Sequence, residues 1–354
     1  MKRVVYSGIE GRSLGYWSMM GVLALFILLA AGSFLYMEHS GHHVTGMNNQ
    51  IVWGIPHVFA IFLIVAASGA LNVASISSVF NQSIYKPMAR MSAILALTLL
   101  AGGLVVLLLD LGRADRLIVA ITTYNFKSIF AWNIMLYTGF FVIVLTYLWT
   151  MFDPAMHKHT RKAGTAAFIW RLVLTTGTGS IFGFLSARQG YDAAIMAPMF
   201  IIMSFAFGKA FFLILLLGIY NLTNRSISAD LIERLKNLFG VFVAAVLYFA
   251  VVFHITNLYA AEHADYESFI LVNGGIYTAI FWIGQVLIGG VIPLILLYSP
   301  MFAHSVKSIV TASILVIVGG FANIYGIVVG GQVFPLSLFP GQEVSSSFGD
   351  GVVN

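Results

Sequence analysis

The chain of 354 residues is 60% hydrophobic and only 9% charged, where ordinary soluble domains carry about 25% charge. That places it among polytopic membrane proteins and excludes a large soluble domain. It has no cysteine, so it can form no disulfide, no thiolate zinc site, no cysteine-ligated iron–sulfur cluster and no C-x-x-C-H haem attachment; electrons, if handled, travel on another subunit or on a diffusible organic cofactor.

Crossing a bilayer takes about 20 apolar residues. Runs of that kind are predicted at 14–37, 52–80, 89–111, 128–150, 165–187, 192–221, 237–261, 275–298 and 304–330. The first follows Lys2, Arg3 and Arg12 as the core of a signal peptide would, but it exceeds the roughly 7–15 residues of such a core and reads as a span. The expected fold is therefore an all-α integral membrane protein. It has an N-terminal segment (1–13), one N-terminal membrane helix (14–37), a first four-helix bundle (52–187), a second (192–330) and a polar tail (331–354). Both bundles start and end on the same side, so any repeat between them is parallel rather than inverted. Glycines such as those at 177, 179 and 183 read as close helix packing, since no strand precedes them. Pro293 is expected to kink the eighth span. The tail reads either as a disordered end or as a docking strip carrying Phe334, Leu336, Leu338 and Phe339.

Basic residues set the orientation. Twelve (Lys2, Arg3, Arg12, Lys86, Arg90, Lys158, Arg161, Lys162, Arg225, Arg234, Lys236 and Lys307) fall on one side and four (Arg113, Arg116, Lys127 and Arg188) on the other, with Arg171 and Lys209 inside spans. This predicts a cytoplasmic N-terminus and a periplasmic C-terminus, and it explains the net charge of +5 without nucleic acid. A reporter fused after Asn354 should read out as periplasmic and one within 157–162 as cytoplasmic; the opposite pattern would invert the orientation.

Polar residues at membrane depth are functional candidates by default. The stretch Asp110 to Trp132 concentrates five charges (Asp110, Arg113, Asp115, Arg116 and Lys127) beside Tyr124, Asn125 and Ser128, and it is expected to roof a small-molecule site. Asp110 reads either as half of an Asp–Arg clamp with Arg113 closing a helix end, or as a proton acceptor held by Arg113. His57, placed about 8 Å below the outer surface by a rise of about 1.5 Å per residue, can bond a quinone carbonyl or pack on a backbone carbonyl. Phe59, Ile61 and Phe62 would supply an apolar wall. Lys209 reads as a proton relay or gating charge, or as a structural partner of carbonyls or an acid; Arg171 reads as a snorkelling structural residue. His254 could join the relay, or ligate a b-type haem with His57 if their helices face each other. Glu38, His39, His42 and His43 have a metal-like composition but also suit a solvated loop. Two other classes stay open: a secondary transporter with Lys209 as its coupling charge, and a structural anchor with no ligand.

The segments WGIPHVFAIFLIVAASGA (53–70), DLGRADR (110–116), NFKSIFAW (125–132) and GQVFPLSLFPG (331–341) resemble the NrfD/PsrC-type integral membrane subunits of respiratory oxidoreductases. The likeness covers essentially the whole chain and looks strongest to the DsrP-type subunits of Dsr sulfur-metabolism complexes. It implies a bacterial cytoplasmic-membrane anchor that binds quinone or quinol (menaquinone or ubiquinone) near the outer face. It also implies a periplasmic ferredoxin-like iron–sulfur subunit docked above, with cytochrome c and haem b subunits in the same complexes. The family's site carries over onto His57, Asp110, Arg113 and Tyr124. The usual proline after DLGR is Ala114 here, and some members place Asn at the His57 position.

Overall fold

The computed structural model describes residues 11–223, 226–303, 305–339 and 342–344. The first ten residues of the expected cytoplasmic segment, Arg225 of the orientation count, and 340–341 with 345–354 of the tail lie outside them.

The nine predicted runs form nine helical elements. These are α1 (Leu14–Ser40), α2 (Ile55–Ala70, continuing as Asn72–Ser78), α3 (Ala89–Leu109), α4 (Ile129–Phe152), α5 (Thr160–Gly183), α6 (Met196–Leu222), α7 (Ala229–Tyr259), α8 (Ile276–Tyr298) and α9 (Val306–Tyr325). In lipid every backbone polar group must be satisfied within the segment, so apolar runs of this length become helices. Local chemistry sets the ends. The Ser13 hydroxyl accepts from the Tyr16 amide at 3.1 Å at the start of α1, and Gly41 ends it with φ +93°. Pro56 sits in the first turn of α2, where a missing N–H costs nothing. Eight of these elements are long and apolar enough to cross a membrane. The ninth, α5, has its hydropathy held down by Arg161, Lys162, Arg171 and its threonines.

Taken in chain order as two groups of four, α2–α5 and α6–α9 are joined through α6, which packs on α2 and α5 as extensively as on α7 and α9, while α1 stands apart from both. The groups share a seam. α6 lies against α2, and the largest apolar core runs from Val58 through Phe200, Phe207 and Phe212 to Val329. At this seam the backbones nearly touch: a Cβ on Gly69 would sit 1.6 Å from the Ser204 carbonyl oxygen, and one on Gly208 would sit 2.1 Å from the Ala70 nitrogen.

Three details differ from the sequence-based expectation. α8 is wound as a π-helix over Ile280–Val291, and Pro293 falls in the α-helical turn after it; further π-stretches occupy Phe269–Asn273 and Gly326–Gly330. The described part of the tail adds a short antiparallel pair, β1 (Leu336–Phe339) with β2 (Gln342–Val344), to an otherwise helical fold. Arg171 does not snorkel. It is 2% exposed and lies between the Phe168 and Phe205 rings at 4.9 and 5.0 Å, where it donates to the Ser68 carbonyl at 3.3 Å.

Arg188 and Gln332 join the chain ahead of α2 to the segment after α9. Arg188 donates to the carbonyls of Gln50 (2.5 Å) and Gln332 (3.0 Å), and burial pulls its pKa below the usual guanidinium value. The Gln332 side chain accepts from the amides of Val52 (2.9 Å) and Trp53 (3.1 Å) and donates to the carbonyl of Trp53 (3.2 Å). Buried backbone groups outside helices need such partners, and these fix Trp53 just ahead of α2.

Candidate functional site

The site forms where α2 and α4 begin and α3 and α5 end. α2 starts at Ile55 rather than 52, so His57 stands in its first turn. Asp110 caps α3 in helical geometry, with its amide on the Val106 carbonyl at 3.1 Å. This turns its carboxylate inward, where the side chain is fully buried and Oδ2 lies 2.5 Å from His57 Nδ1. His42, from the loop after α1, brings its Nδ1 to 3.7 Å from Asp110 Oδ1 and its Nε2 to 3.6 Å from Glu38. The carboxylate sits at the negative end of α3, which is unfavourable, but beside the positive end of α2. Among the described residues it makes no hydrogen bond of ordinary geometry, and the two imidazoles are the ionisable groups beside it. A carboxylate removed from water is costly without a partner, which makes this cluster a functional candidate.

Next to it opens a cavity of 390 Å³, within the range of about 300–1,000 Å³ typical of small-molecule sites. His57, Ala60, Ile61 and Ile64 line it from α2, Phe130, Asn133, Ile134 and Tyr137 from α4, and Ile181 and Phe182 from α5; Leu111, Arg113, Arg116 and Leu117 roof it. At 100° per residue 57, 60, 61 and 64 share one face of α2, whereas 59 and 62 point away. Phe59 and Phe62 accordingly pack on Phe321 and Phe207 across the seam, at 4.5 and 5.3 Å, and do not wall the cavity as expected. The Trp53 ring stacks 6.2 Å from His57 and meets Phe182 edge-on at 5.7 Å. Asn133 is held by its amide on the carbonyls of Ile129 (2.9 Å) and Gly177 (3.0 Å).

Other candidates fall elsewhere. The Asp110–Arg113 clamp does not form. Arg113 pairs instead with Asp115 at 2.9 Å, both exposed, and this guanidinium holds the Asp115 carboxyl below the usual carboxylate range. Two residues of separation suffice for that pair, while Asp110 faces the interior; Arg113 keeps a place in the roof. Tyr124 is half-buried against Phe126 at 6.1 Å and lies off the cavity lining. Lys209, midway along α6, is 1% exposed and lies 5.6 Å from the Phe212 ring; among the described residues neither a carbonyl nor an acid pairs with it, so the structural pairing is not seen there. His57 and His254 stand in separate places. Each meets its own carboxylate and lines its own cavity, His254 with Glu267 at 2.6 Å. Among the described residues no cluster of three or more potential ligands could hold a metal ion, and His42 serves the carboxylate cluster instead. Trp53, Asn133 and Tyr137 do not stand out in the sequence. The i, i+4 spacing of Asn133 and Tyr137 on an otherwise apolar helix is the one signal that points to them.

Residues 43–336 match the family described as polysulphide reductase, NrfD. The protein is 30% identical over 345 residues to the Hdr-like menaquinol oxidoreductase integral membrane subunit of Archaeoglobus fulgidus, an alignment that takes in 97% of its own length and 86% of that relative. It is 26% identical to a putative dimethyl sulfoxide reductase membrane subunit of Halobacterium salinarum, over 93% of its own length and 80% of the relative's. It is 22% identical to a polysulfide reductase chain of Wolinella succinogenes, over 81% and 96% respectively.

Proposed function

The chain belongs to the NrfD polysulphide reductase family, and from that premise we propose that it is the quinone- or quinol-interacting membrane subunit of a multi-subunit oxidoreductase complex. One observation carries the reading: a buried His57–Asp110 pair at the edge of a 390 Å³ apolar cavity. The name of the Archaeoglobus relative, a menaquinol oxidoreductase subunit, supports the ligand class, and the other relatives' names support a multi-subunit setting.

The residues fit a quinone ring. Ile61, Ile64, Ile134 and Phe130 offer apolar walls, and the Trp53 ring closes one side. His57 keeps Nε2 for a ring oxygen while Nδ1 rests on Asp110. Quinone chemistry moves two electrons and two protons. The chain's part is the protons, for which His57, Asp110, His42 and Glu38 form a row from the cavity to the surface, with steps of 2.5, 3.7 and 3.6 Å; the Glu38 side chain is 46% exposed. The electrons belong to a partner, which we place at this same end as a ferredoxin-like iron–sulfur subunit on the periplasmic face. A Dsr-type sulfur-metabolism complex with cytochrome c and haem b subunits is the setting proposed on the sequence resemblance.

Ligand binding to the native state alone stabilises it by about 2.7 kcal/mol at a concentration 100 times Kd. A quinol analogue should therefore raise the Tm of the purified subunit, and Asp110→Asn should diminish the rise. An unchanged Tm at saturating analogue would count for an anchor without a quinone site.

A further inference from the structure

A second carboxylate–imidazole pair lies outside the site just described. Glu267, fully buried in the turn after α7, accepts from the Asn257 amide at 2.9 Å through Oε1, and its Oε2 lies 2.6 Å from His254 Nδ1. Among the described residues His254 is the one cation-forming side chain paired with it. His254 also lines a cavity of 30 Å³ with Gln285 and Asn323. A cavity needs about 10–15 Å³ and two to four polar partners to hold a water. The side chains of Gln285 and Asn323, and His254 Nε2, make no hydrogen bond to another described residue, so these groups are available to water.

The surrounding backbone is unusual in one consistent way. The three π-helical stretches, Phe269–Asn273, Ile280–Val291 and Gly326–Gly330, each contribute to this cavity, through Ile270, through Ile280, Phe281 and Gln285, and through Gly326 and Ile327. π-winding is rare and recurs at functional sites, because the wide turn displaces side chains and opens backbone groups. A purely structural ion pair would not need three such turns around a hollow.

We propose that His254 and Glu267 form a proton-holding site of the second bundle, exchanging its proton with water in the cavity bounded by Gln285 and Asn323. One proton moves between the imidazole, the carboxyl and a water, with no other bond made or broken. Both pairs lie at the same end of the molecule, one in each group of helices. The titratable groups facing the second pair are Tyr266 beside Glu267, Tyr277 from α8 stacked on Tyr325 of α9 at 6.4 Å, and, behind Tyr266, Tyr191 with Arg188. Burial raises the pKa of the Tyr191 and Tyr266 phenols, so both stay neutral. His263 is turned aside onto the Gln189 carbonyl at 2.9 Å. The proposal does not depend on the quinone reading.

Infrared difference spectra of the full chain in lipid nanodiscs, taken between acid and alkaline pH in H2O and in D2O, test it. The expected result, read in an Asp110→Asn background that removes the first pair's contribution, is a carboxyl–imidazole signal that reverses on a pH cycle, shifts in D2O and disappears when Glu267→Gln is added. Gln can still bond Asn257, which favours folding of that variant. The signal should persist when Glu262→Gln, at an exposed neighbour, is added instead. Should Glu267→Gln not fold, Gln285→Leu with Asn323→Leu leaves the pair intact and should abolish the pH response by removing the water's partners. A signal that does not titrate would mean a fixed ion pair. One that titrates but is untouched by either set of substitutions would likewise overturn the proposal.

Discussion

His57→Ala and Asp110→Asn are each expected to lower quinone-linked turnover about 10–100-fold while the complex still assembles. The size follows from the loss of one charge-assisted bond, about 1.5–3 kcal/mol, if it acts mainly in the rate-limiting state. The two substitutions act through one contact, His57 Nδ1 to Asp110 Oδ2 at 2.5 Å, so the double variant should be barely worse than the worse single one. His57→Ala removes the group offered to the ring oxygen. Asp110→Asn keeps the shape but removes the carboxylate beside the imidazole, and with it the link between His57 and His42 on which the proposed proton row depends. Arg113→Ala should cost less, because its guanidinium is engaged with exposed Asp115. Steady-state assays on the purified complex decide this; wild-type quinone kinetics in both single variants would remove the pair from the mechanism.

Gly69→Ala is expected to have the largest effect on stability. Its new Cβ would lie 1.6 Å from the Ser204 carbonyl oxygen and 2.4 Å from the carbonyl carbon. These are backbone atoms of α6 and cannot rotate aside, so α2 and α6 must separate. Overpacking in cores costs typically about 1–3 kcal/mol, occasionally more. Here it would also pull apart the seam that the largest apolar core crosses. Gly102→Ala is the matched control: its Cβ would meet nothing nearer than Leu63 Cδ1 at 3.7 Å. Size-exclusion profiles and thermal melts of detergent-solubilised protein should show Gly69→Ala aggregated or markedly less stable and Gly102→Ala close to wild type. A Gly69→Ala protein with unchanged melting would contradict the close crossing.

Much of this is legible in the sequence, for identifiable reasons. Apolar runs fix membrane helices because lipid leaves the backbone no other partner, and each predicted run has its helical element, with ends moved by up to five residues except at α7, which starts eight residues before the predicted 237. His57 and Asp110 stand out because ionisable groups near apolar spans are costly, and the structure brings them together. The partner of Asp110 is not legible. Arg113 is nearer in sequence, but the turn of α3 aims the carboxylate at α2 instead. The expectation for Phe59 and Phe62 fails for a reason the sequence already holds, since helical spacing from His57 puts them on the opposite face. Glu267 looks like one acid among several in an outer loop, and nothing local tells of its burial. The π-stretches have no signal at all. They accompany contacts such as that of Gly289 with Gly319, where a Cβ on Gly319 would lie 2.1 Å from the Gly289 Cα, and contacts of that kind belong to the packed molecule.

The cavity between α2, α4 and α5 as the quinone site is tested most directly by covalent capture. A photoreactive quinone analogue would be irradiated with the membrane-embedded complex and its adducts located by peptide mass spectrometry. Adducts are expected on Trp53, His57, Phe130 or Tyr137, which line one hollow, and they should be displaced by excess quinone. Displaceable adducts at the opposite end, around Lys86 and Arg90 or in the 153–160 turn, would contradict the assignment.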